Sequence, residues 1–197
     1  SSILTDVEVL PHCILIWRSF THWIGGMGVL VFLLSLLPLA GGYHMNLMKA
    51  ESPGPSVSKL VPKVQDTAKI LYTIYIGMTL LQIVLLLLGR IPLFDTLCIS
   101  FGTAGTGGFG IVNDSMGSYS VYCQIITTIF MILFGVNFSA YYLFLTKKFM
   151  QAFKFEEVRY YFGIILAAIV IIAFNTSHLF RNLGEAFQQA AFQVGSI

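Results

Sequence analysis

The sequence contains little charge: aspartate, glutamate, lysine and arginine make up 10% of its 197 residues, whereas hydrophobic residues make up 56%. The mean hydropathy is +0.82. Soluble globular domains carry about a quarter of their residues as charged side chains, so this composition excludes an ordinary soluble protein. It predicts a chain that lies in a lipid bilayer.

The chain is also poor in residues that build metal sites and disulfides. Its three cysteines, Cys13, Cys98 and Cys123, have no metal-ligand spacing and are odd in number, so we expect reduced cysteines that pack against their neighbours. The four histidines, at positions 12, 22, 44 and 178, show no paired spacing for a metal ion. No nucleophile, base and orienting acid fall together on one predicted element. We therefore expect no enzyme activity, no cofactor in this chain and no nucleic-acid partner.

No signal peptide is recognisable, because the first ten residues lack the basic and apolar regions that such a segment needs. The chain has no initiator methionine, and its last residues stop within a pattern. We expect it to be an internal fragment of a longer protein.

Long apolar runs, in contrast, are abundant. Residues 14–40, 70–89 and 118–146 are each long enough to cross about 30 Å of hydrocarbon at about 1.5 Å per residue, and residues 158–174 lie at the short limit. If these spans alternate in direction, the loops between them on one side hold eight of the eleven basic residues, which predicts a cytoplasmic location for those loops.

The opposite side is predicted to be acidic. It keeps Arg18, Arg90 and Arg181 beside five carboxylates, and a negative outer face concentrates cations near a pore mouth. Solvation of the loops explains any single carboxylate equally well. The five are Asp6, Glu8, Asp95, Asp114 and Glu185.

Two shorter apolar stretches, residues 92–103 and 179–194, are too short or too polar to span and are typical of re-entrant helices. Pro92 suits the first turn of a helix, where its missing N–H would have no partner. Three glutamines of the second stretch would be costly against lipid, so we expect a helix buried in protein or lining water. They are Gln188, Gln189 and Gln193.

A short internal match indicates duplication. Residues 2–6 resemble residues 110–114 at an offset of 108, with isoleucine and aspartate identical, and each segment precedes a long apolar helix.

Between the first re-entrant stretch and the matched segment lies the glycine run, residues 103–110, which reads Thr-Ala-Gly-Thr-Gly-Gly-Phe-Gly. A monovalent cation that crosses a membrane exchanges water oxygens for protein oxygens, and successive backbone carbonyls supply them. Glycine permits the positive φ that such a turn requires. Thr106 adds a hydroxyl oxygen, and Phe109 is placed to wedge the turn against neighbouring helices.

Glycines at 105, 107 and 110 also fit a dinucleotide-binding fingerprint formally. That motif needs a preceding strand and a following helix, whereas here Ile-Val-Asn-Asp follows. We therefore favour the ion-facing turn.

Three strings carry a resemblance to a known family: residues 17–28 (Trp-Arg-Ser-Phe-Thr-His-Trp-Ile-Gly-Gly-Met-Gly), residues 51–55 (Glu-Ser-Pro-Gly-Pro) and residues 106–110. The chain resembles the bacterial Trk/Ktr potassium-uptake family, the TrkH-type membrane subunit, which is related to plant HKT transporters. In that family four copies of a helix, pore loop and helix surround one pore, and each copy supplies one filter glycine.

The resemblance implies an all-α polytopic membrane protein with repeated helix, re-entrant pore-loop and helix units, like a K⁺ channel, here as a fragment of a four-repeat pore. Residues 1–40 would end the first repeat, 41–68 form a cytoplasmic loop, 69–146 the second repeat, 147–157 a second cytoplasmic loop and 158–197 the start of the third repeat. The first and third filters would lie outside the chain, which by itself should not conduct.

The resemblance also assigns the residues of the glycine run. Gly108 matches the filter glycine of the second copy, Thr106 and Gly107 would precede it on the ion path, and Phe109 and Gly110 would complete the turn. The transported ion would be K⁺, held by the backbone of Thr106, Gly107 and Gly108.

Function and partners follow as expectations: K⁺ transport by a multi-pass protein of the bacterial cell membrane, as a homodimer with cytoplasmic nucleotide-binding subunits of the TrkA/KtrA kind. The basic loops would contact these subunits or anionic lipid head groups. The alternative is a non-conducting helical membrane protein whose glycines only pack helices.

Several polar and small residues keep two explanations. Gly25, Gly26 and Gly28 serve close helix packing or let their helix approach a pore loop. Asn137 and Ser139 face an inner cavity or hydrogen-bond between helices. Arg18 and His22, near the outer end of a helix, find a polar partner or snorkel to the interface.

Overall fold

A computed structural model of the chain describes residues 6–28, 64–137, 140–141, 156–180 and 182–197. These residues form six α-helices and a short 3₁₀ turn, Ser177–Leu179, and contain no strand, which agrees with the helical fold class. The helices are α1 (His12–Gly26), α2 (Val64–Leu88), α3 (Leu93–Ala104), α4 (Val121–Phe134), α5 (Glu156–Thr176) and α6 (Leu183–Gly195).

Some predictions concern residues outside this description. They include the apolar residues 29–40, nearly all of the two basic loops with the 51–55 string, the first half of the internal match at residues 2–5, and the side chains of Ser139 and Arg181.

Two described helices are long and apolar enough to cross a membrane: Lys69–Leu88 within α2, and Glu156–Leu179, which combines α5 with the 3₁₀ turn. They match the predicted spans at 70–89 and 158–174 closely. Length and composition alone identify these spans.

In the other two predicted spans, a described helix ends within the apolar run. The helix in 14–40 ends at Gly26, and Gly28 has a φ of 77°. The helix in 118–146 ends at Phe134, with Gly135 as its C-cap. An apolar run fixes the environment of a segment but not its continuity, because a glycine in the run allows the helix to stop.

Tyrosine hydroxyls stabilise the early end of α4. The Tyr161 hydroxyl donates to the carbonyl oxygen of Ile132 at 2.9 Å, and the Tyr141 hydroxyl donates to that of Leu133 at 2.7 Å. Helix ends leave such carbonyls without intrahelical partners, so these bonds satisfy acceptors that the interruption exposes.

Both short helices form where the re-entrant stretches were predicted. α3 begins one residue after Pro92, which lies at the N-cap rather than inside the first turn, and α6 begins at Leu183 after the 3₁₀ turn. α3 packs against α1, α2 and α4, while α6 packs against α4 and α5.

The core lies around α3. One cluster contains Tyr72, Tyr75, Ala104, Phe130 and Phe134, with Trp23 packed against it. A second lies nearer the start of α3 and is formed by Leu86, Ile91, Ile99, Met116 and Cys123. The two clusters pack around α3 and hold it in place. The residues that follow α3 therefore begin at a helix end whose position is fixed.

Candidate functional site

The glycine run begins where α3 ends and folds back onto the last turn of that helix. The Thr106 N–H donates to the carbonyl oxygen of Thr103 at 2.8 Å, and the Gly107 N–H donates to that of Gly102 at 3.0 Å. Thr103 and Gly102 are buried. The run is therefore anchored to a helix end that is itself held in the core.

Backbone conformation alternates along the run. Thr106 has a φ of 56° and Gly108 a φ of 63°, while Gly107 between them is not in the positive-φ region. Glycine adopts this region at little cost, whereas a β-branched residue there is an outlier. The Thr106 hydroxyl donates to the carbonyl oxygen of Gly105 at 2.8 Å, a local bond that helps to hold this conformation.

From Ala104 to Gly110, every carbonyl group of the run except that of Gly105 lacks a hydrogen-bond partner in the described part of the chain. Those of Thr106, Gly107 and Gly108 are among them, although Gly107 and Gly108 are buried. Buried backbone carbonyls are nearly always paired. The run thus presents free acceptors where a folded protein normally has none.

Side chains from two other helices close in on Gly108. A Cβ atom at this position would lie 2.6 Å from Sδ of Met131 in α4 and 3.2 Å from Cζ of Phe192 in α6. Gly108 therefore combines a positive φ with a space in which a side chain would have to displace Met131 and crowd Phe192.

The end of the run at Phe109 is lined by an arginine and a histidine side chain. Phe109 is 43% exposed, and the guanidinium carbon of Arg18 lies 5.4 Å from the centre of its ring. The His22 ring meets Phe109 edge to face, with the ring centres 5.8 Å apart. Arg18 and His22 thus find a common aromatic partner at the glycine run, which the sequence did not reveal.

α1 approaches α3 closely at a glycine. A Cβ atom on Gly26 would lie 2.5 Å from the carbonyl oxygen of Ala104 and 2.5 Å from the Tyr75 hydroxyl, whereas one on Gly25 would meet nothing within 4 Å. Gly105 lies in turn against His22. Gly26 therefore serves close packing of α1 against the end of α3 and against Tyr75.

The loop after the run is tied to the start of the described chain through Asn113. Its side-chain oxygen accepts from the Val7 N–H at 2.7 Å, and its amide nitrogen donates to Oδ1 of Asp6 at 2.9 Å. The Asn113 N–H donates to Oε1 of Glu8 at 3.1 Å. Asp6, the last residue of the first segment of the internal match, therefore contacts Asn113 of the second segment.

Farther along this loop, the Tyr119 hydroxyl donates to Oδ2 of Asp95, in the first turn of α3, at 3.0 Å. Burial, together with this carboxylate, raises the pKa of Tyr119 above its ordinary value. The phenol stays protonated and keeps donating, so the loop is held to the start of the helix that precedes the run.

Sequence reasoning missed Met131 and Phe192, which lie against Gly108, and Gln124, which bonds to the loop after the run. Gln124 is a glutamine in an otherwise apolar or hydroxyl-bearing helix, and this contrast was the available signal. Met131 and Phe192 gave none, because core side chains of this kind are common in membrane helices.

The described residues contain no group of three or more histidine, cysteine, aspartate or glutamate side chains placed to hold a metal ion. Cys98 and Cys123 are buried and Cys13 is exposed, and all three are free thiols. The atoms of the glycine run that can bind an ion are its backbone carbonyl oxygens.

Comparison with known proteins decides the family. A family model described as "TrkH: Cation transport protein" matches residues 1–176. The chain belongs to the TrkH family. The resemblance found in the sequence is thereby confirmed.

Curated TrkH-family relatives match along the whole chain. It is 30% identical over 204 residues to the Trk system potassium uptake protein TrkH of Vibrio parahaemolyticus and 31% identical over 201 residues to the Trk system potassium uptake protein TrkG of Escherichia coli. Both matches cover 100% of this chain, and they cover 42% and 41% of the relatives. The chain thus spans about two fifths of their length.

A solved TrkH structure shares the fold. The crystal structure of the potassium transporter TrkH from Vibrio parahaemolyticus matches with a TM-score of 0.77 and 28% identity over 100% of this chain and 40% of that one. All these relatives are named as transporters or uptake proteins, which confirms the prediction that the chain belongs to no enzyme family.

Proposed function

We propose that this chain forms part of the pore of a Trk-type potassium uptake protein, and that residues 106–110 supply one quarter of its selectivity filter. The observation that carries the proposal is the set of unpaired carbonyls at Thr106, Gly107 and Gly108 in a buried turn. The positive φ at Thr106 and Gly108 supports it, because alternating backbone conformation brings successive carbonyls toward one side.

In this account K⁺ exchanges part of its hydration shell for carbonyl oxygens of the run, and the Thr106 hydroxyl oxygen extends the set inward. α3 directs its C-terminal end, which carries a partial negative charge, toward the same place. At exposed sites such an end favours a cation by about 0.3–1 kcal/mol. The filter thus combines ligands from the turn with a weak field from the helix.

The repeat boundaries follow from the same proposal. Residues 1–40 end the first repeat, 69–146 contain the second with its complete pore loop, and 158–197 begin the third, with cytoplasmic loops at 41–68 and 147–157. α3 and α6 are then pore helices of adjacent repeats. Their contacts with α4 on both sides are what such neighbours require.

The membrane location, the oligomeric state and the partners of the protein are proposals as well. We infer a multi-pass protein of the bacterial cell membrane that works as a homodimer with cytoplasmic nucleotide-binding regulatory subunits. Charge reversal of Lys59 and Lys63 tests the subunit contact. Weakened binding in a pull-down is expected, and undiminished binding would place the contact elsewhere.

Complementation of a K⁺-uptake-deficient strain tests the filter assignment. Full-length wild type should restore growth on low K⁺, and Gly108→Ser should fail, because a side chain at this φ meets Met131 and Phe192. Gly77→Ser is the matched control, since a Cβ on this helical glycine meets nothing within 4 Å.

The rival explanation, glycines that only pack helices, predicts a different outcome. In that case Gly108→Ser lowers abundance but leaves K⁺ over Na⁺ preference unchanged in the protein that remains. Equal growth of wild type and Gly108→Ser at equal abundance would refute the assignment of Gly108.

A further inference from the structure

Gln124, in the first turn of α4, joins two parts of the chain through a single side chain. Its Nε2 donates to the carbonyl oxygen of Met116 at 2.9 Å and to that of Tyr119 at 3.2 Å. Its Oε1 accepts from Nε2 of Gln188 at 3.0 Å and from Nε2 of Gln189 at 3.5 Å. A glutamine amide has two donor hydrogens and two acceptor lone pairs, so every one of them is used.

The orientation of this amide is fixed by its partners. Backbone carbonyls only accept, so the nitrogen must face Met116 and Tyr119, and the oxygen is left for α6. Glutamate has no donor when ionised and only one when protonated, asparagine is one methylene shorter, and methionine has the length without the polar atoms. Glutamine is the side chain that meets both sides at once.

The loop that Gln124 holds is the outer support of the glycine run. The Gly110 N–H donates to Oγ of Ser115 at 3.2 Å, and Gly110 lies against the backbone of Ser115. Met116, the next residue, is 4% exposed. A bond to the Met116 carbonyl therefore restrains the segment on which the last residue of the run rests.

α6 reaches the run directly as well. Phe192 stands against Gly108, and Gln188 lies four residues before it, on the same face of the helix. α6 therefore acts on the run in two ways. Phe192 lies directly against Gly108, and Gln188 and Gln189 bond to Gln124, which holds the supporting loop.

We propose that Gln124 is a positioning residue that locks the outer end of the filter to α6, the re-entrant helix of the next repeat. The proposal rests on the filter role assigned to residues 106–110. Without the hydrogen bonds of Gln124, the positions of the carbonyl oxygens in the run vary more. The discrimination between K⁺ and Na⁺ therefore falls while transport continues. Gln124 does not touch the ion in this account and acts through the loop.

The test measures the K⁺ to Na⁺ flux ratio of the full-length protein in liposomes. Gln124→Met should lower the ratio by about tenfold, the equivalent of about 1.4 kcal/mol, which is the scale of one lost hydrogen bond. Gln193→Met is the control, because Gln193 lies on α6 with Gln188 and Gln189, is exposed, and its side chain has no hydrogen bond to a described residue. Its ratio should equal that of wild type.

A second variant keeps the proposal testable if Gln124→Met does not accumulate. The double variant Gln188→Met with Gln189→Met leaves both loop bonds of Gln124 in place and removes only the link to α6, so it should also lower the ratio. When the three changes are combined, Gln124→Met should add less than it does alone, because the link is already lost. An unchanged ratio in either variant at wild-type abundance would overturn the proposal.

Gly108→Ser in the same assay separates this inference from the proposed function. If Gly108→Ser leaves the flux ratio unchanged, the filter assignment itself fails. If Gly108→Ser alters the ratio and the glutamine variants do not, the filter stands and the role of Gln124 is refuted.

Discussion

The short helix α3 and the long helix α5 are about equally hydrophobic, yet they differ sharply in how much of their surface is buried. Seven of the 12 residues of α3 are buried, including Thr96, Ser100 and Thr103, whereas Ala173 is the one buried residue among the 21 of α5. In a bilayer apolar side chains need no protein cover, while hydroxyl groups and backbone ends do. The helix whose hydroxyl groups are buried therefore forms the core, and the glycine run follows its C-terminal end.

The largest difference between α3 and α5 is expected when a large apolar side chain is truncated in each helix. Ile99 in α3 is fully buried, so Ile99→Ala should destabilise the protein by about 2–5 kcal/mol. Ile164 in α5 is 69% exposed, so Ile164→Ala should stay within about 0.5 kcal/mol of wild type. Thermal unfolding of the full-length protein in detergent measures both. Equal shifts would contradict the view that α3 is the core.

Overpacking at the contact between α1 and α3 should have the next largest effect. Gly26→Ala places a methyl group against the backbone oxygen of Ala104, which cannot move aside, and should cost about 1–3 kcal/mol. Gly25→Ala meets open space and should be neutral or stabilising, because alanine favours a helix. Thermal unfolding of this neighbouring pair provides the comparison. Equal destabilisation of both variants would mean that the close approach of Ala104 is not the reason why position 26 requires glycine.

The conformation of Thr106 offers a change with opposite effects on stability and transport. Thr106→Gly removes a Cβ atom from a left-handed residue and should stabilise the fold by up to about 1–2 kcal/mol. It also removes the hydroxyl oxygen, so K⁺ flux in liposomes should fall. A variant that is destabilised, with flux unchanged, would show that the threonine serves the fold.

The smallest effect is expected at the bond between the loop and α3. Tyr119→Phe loses the hydrogen bond to Asp95 and should cost about 0.5–1.5 kcal/mol. Because the pKa of Tyr119 is raised in the folded protein, the stability it contributes is complete below the ordinary tyrosine pKa of about 10 and is lost as pH rises above it.

Thermal unfolding between pH 8 and pH 11 measures this dependence. Tyr119→Phe should show a smaller alkaline loss than wild type. Parallel pH profiles for the two proteins would contradict the bond.

Sequence reasoning located the helices that can be recognised from the hydropathy, length and polarity of a single segment. Hydropathy located α2 and α5, and length with polarity singled out α3 and α6 as helices of a different kind. The glycine run was recognised because glycine composition at the end of a short helix reports backbone conformation directly, and the positive φ of Gly108 agrees with it.

What the sequence did not reveal depends on contacts between distant residues. The interruption of α4 after Phe134 is stabilised by tyrosine hydroxyls from other segments, and no periodicity within an apolar run signals it. Arg18 over Phe109 and the four bonds of Gln124 likewise require the packed helices. Tertiary pairing of this kind has no local signature.

Anomalous scattering from Rb⁺ in crystals of the full-length protein tests the central claim most directly, because it locates the ion rather than its effects. The account predicts a peak within coordination distance of the carbonyl oxygens of Thr106, Gly107 and Gly108, and its loss in Gly108→Ser. A peak in the pore away from residues 106–110, with none beside these carbonyls, would contradict it.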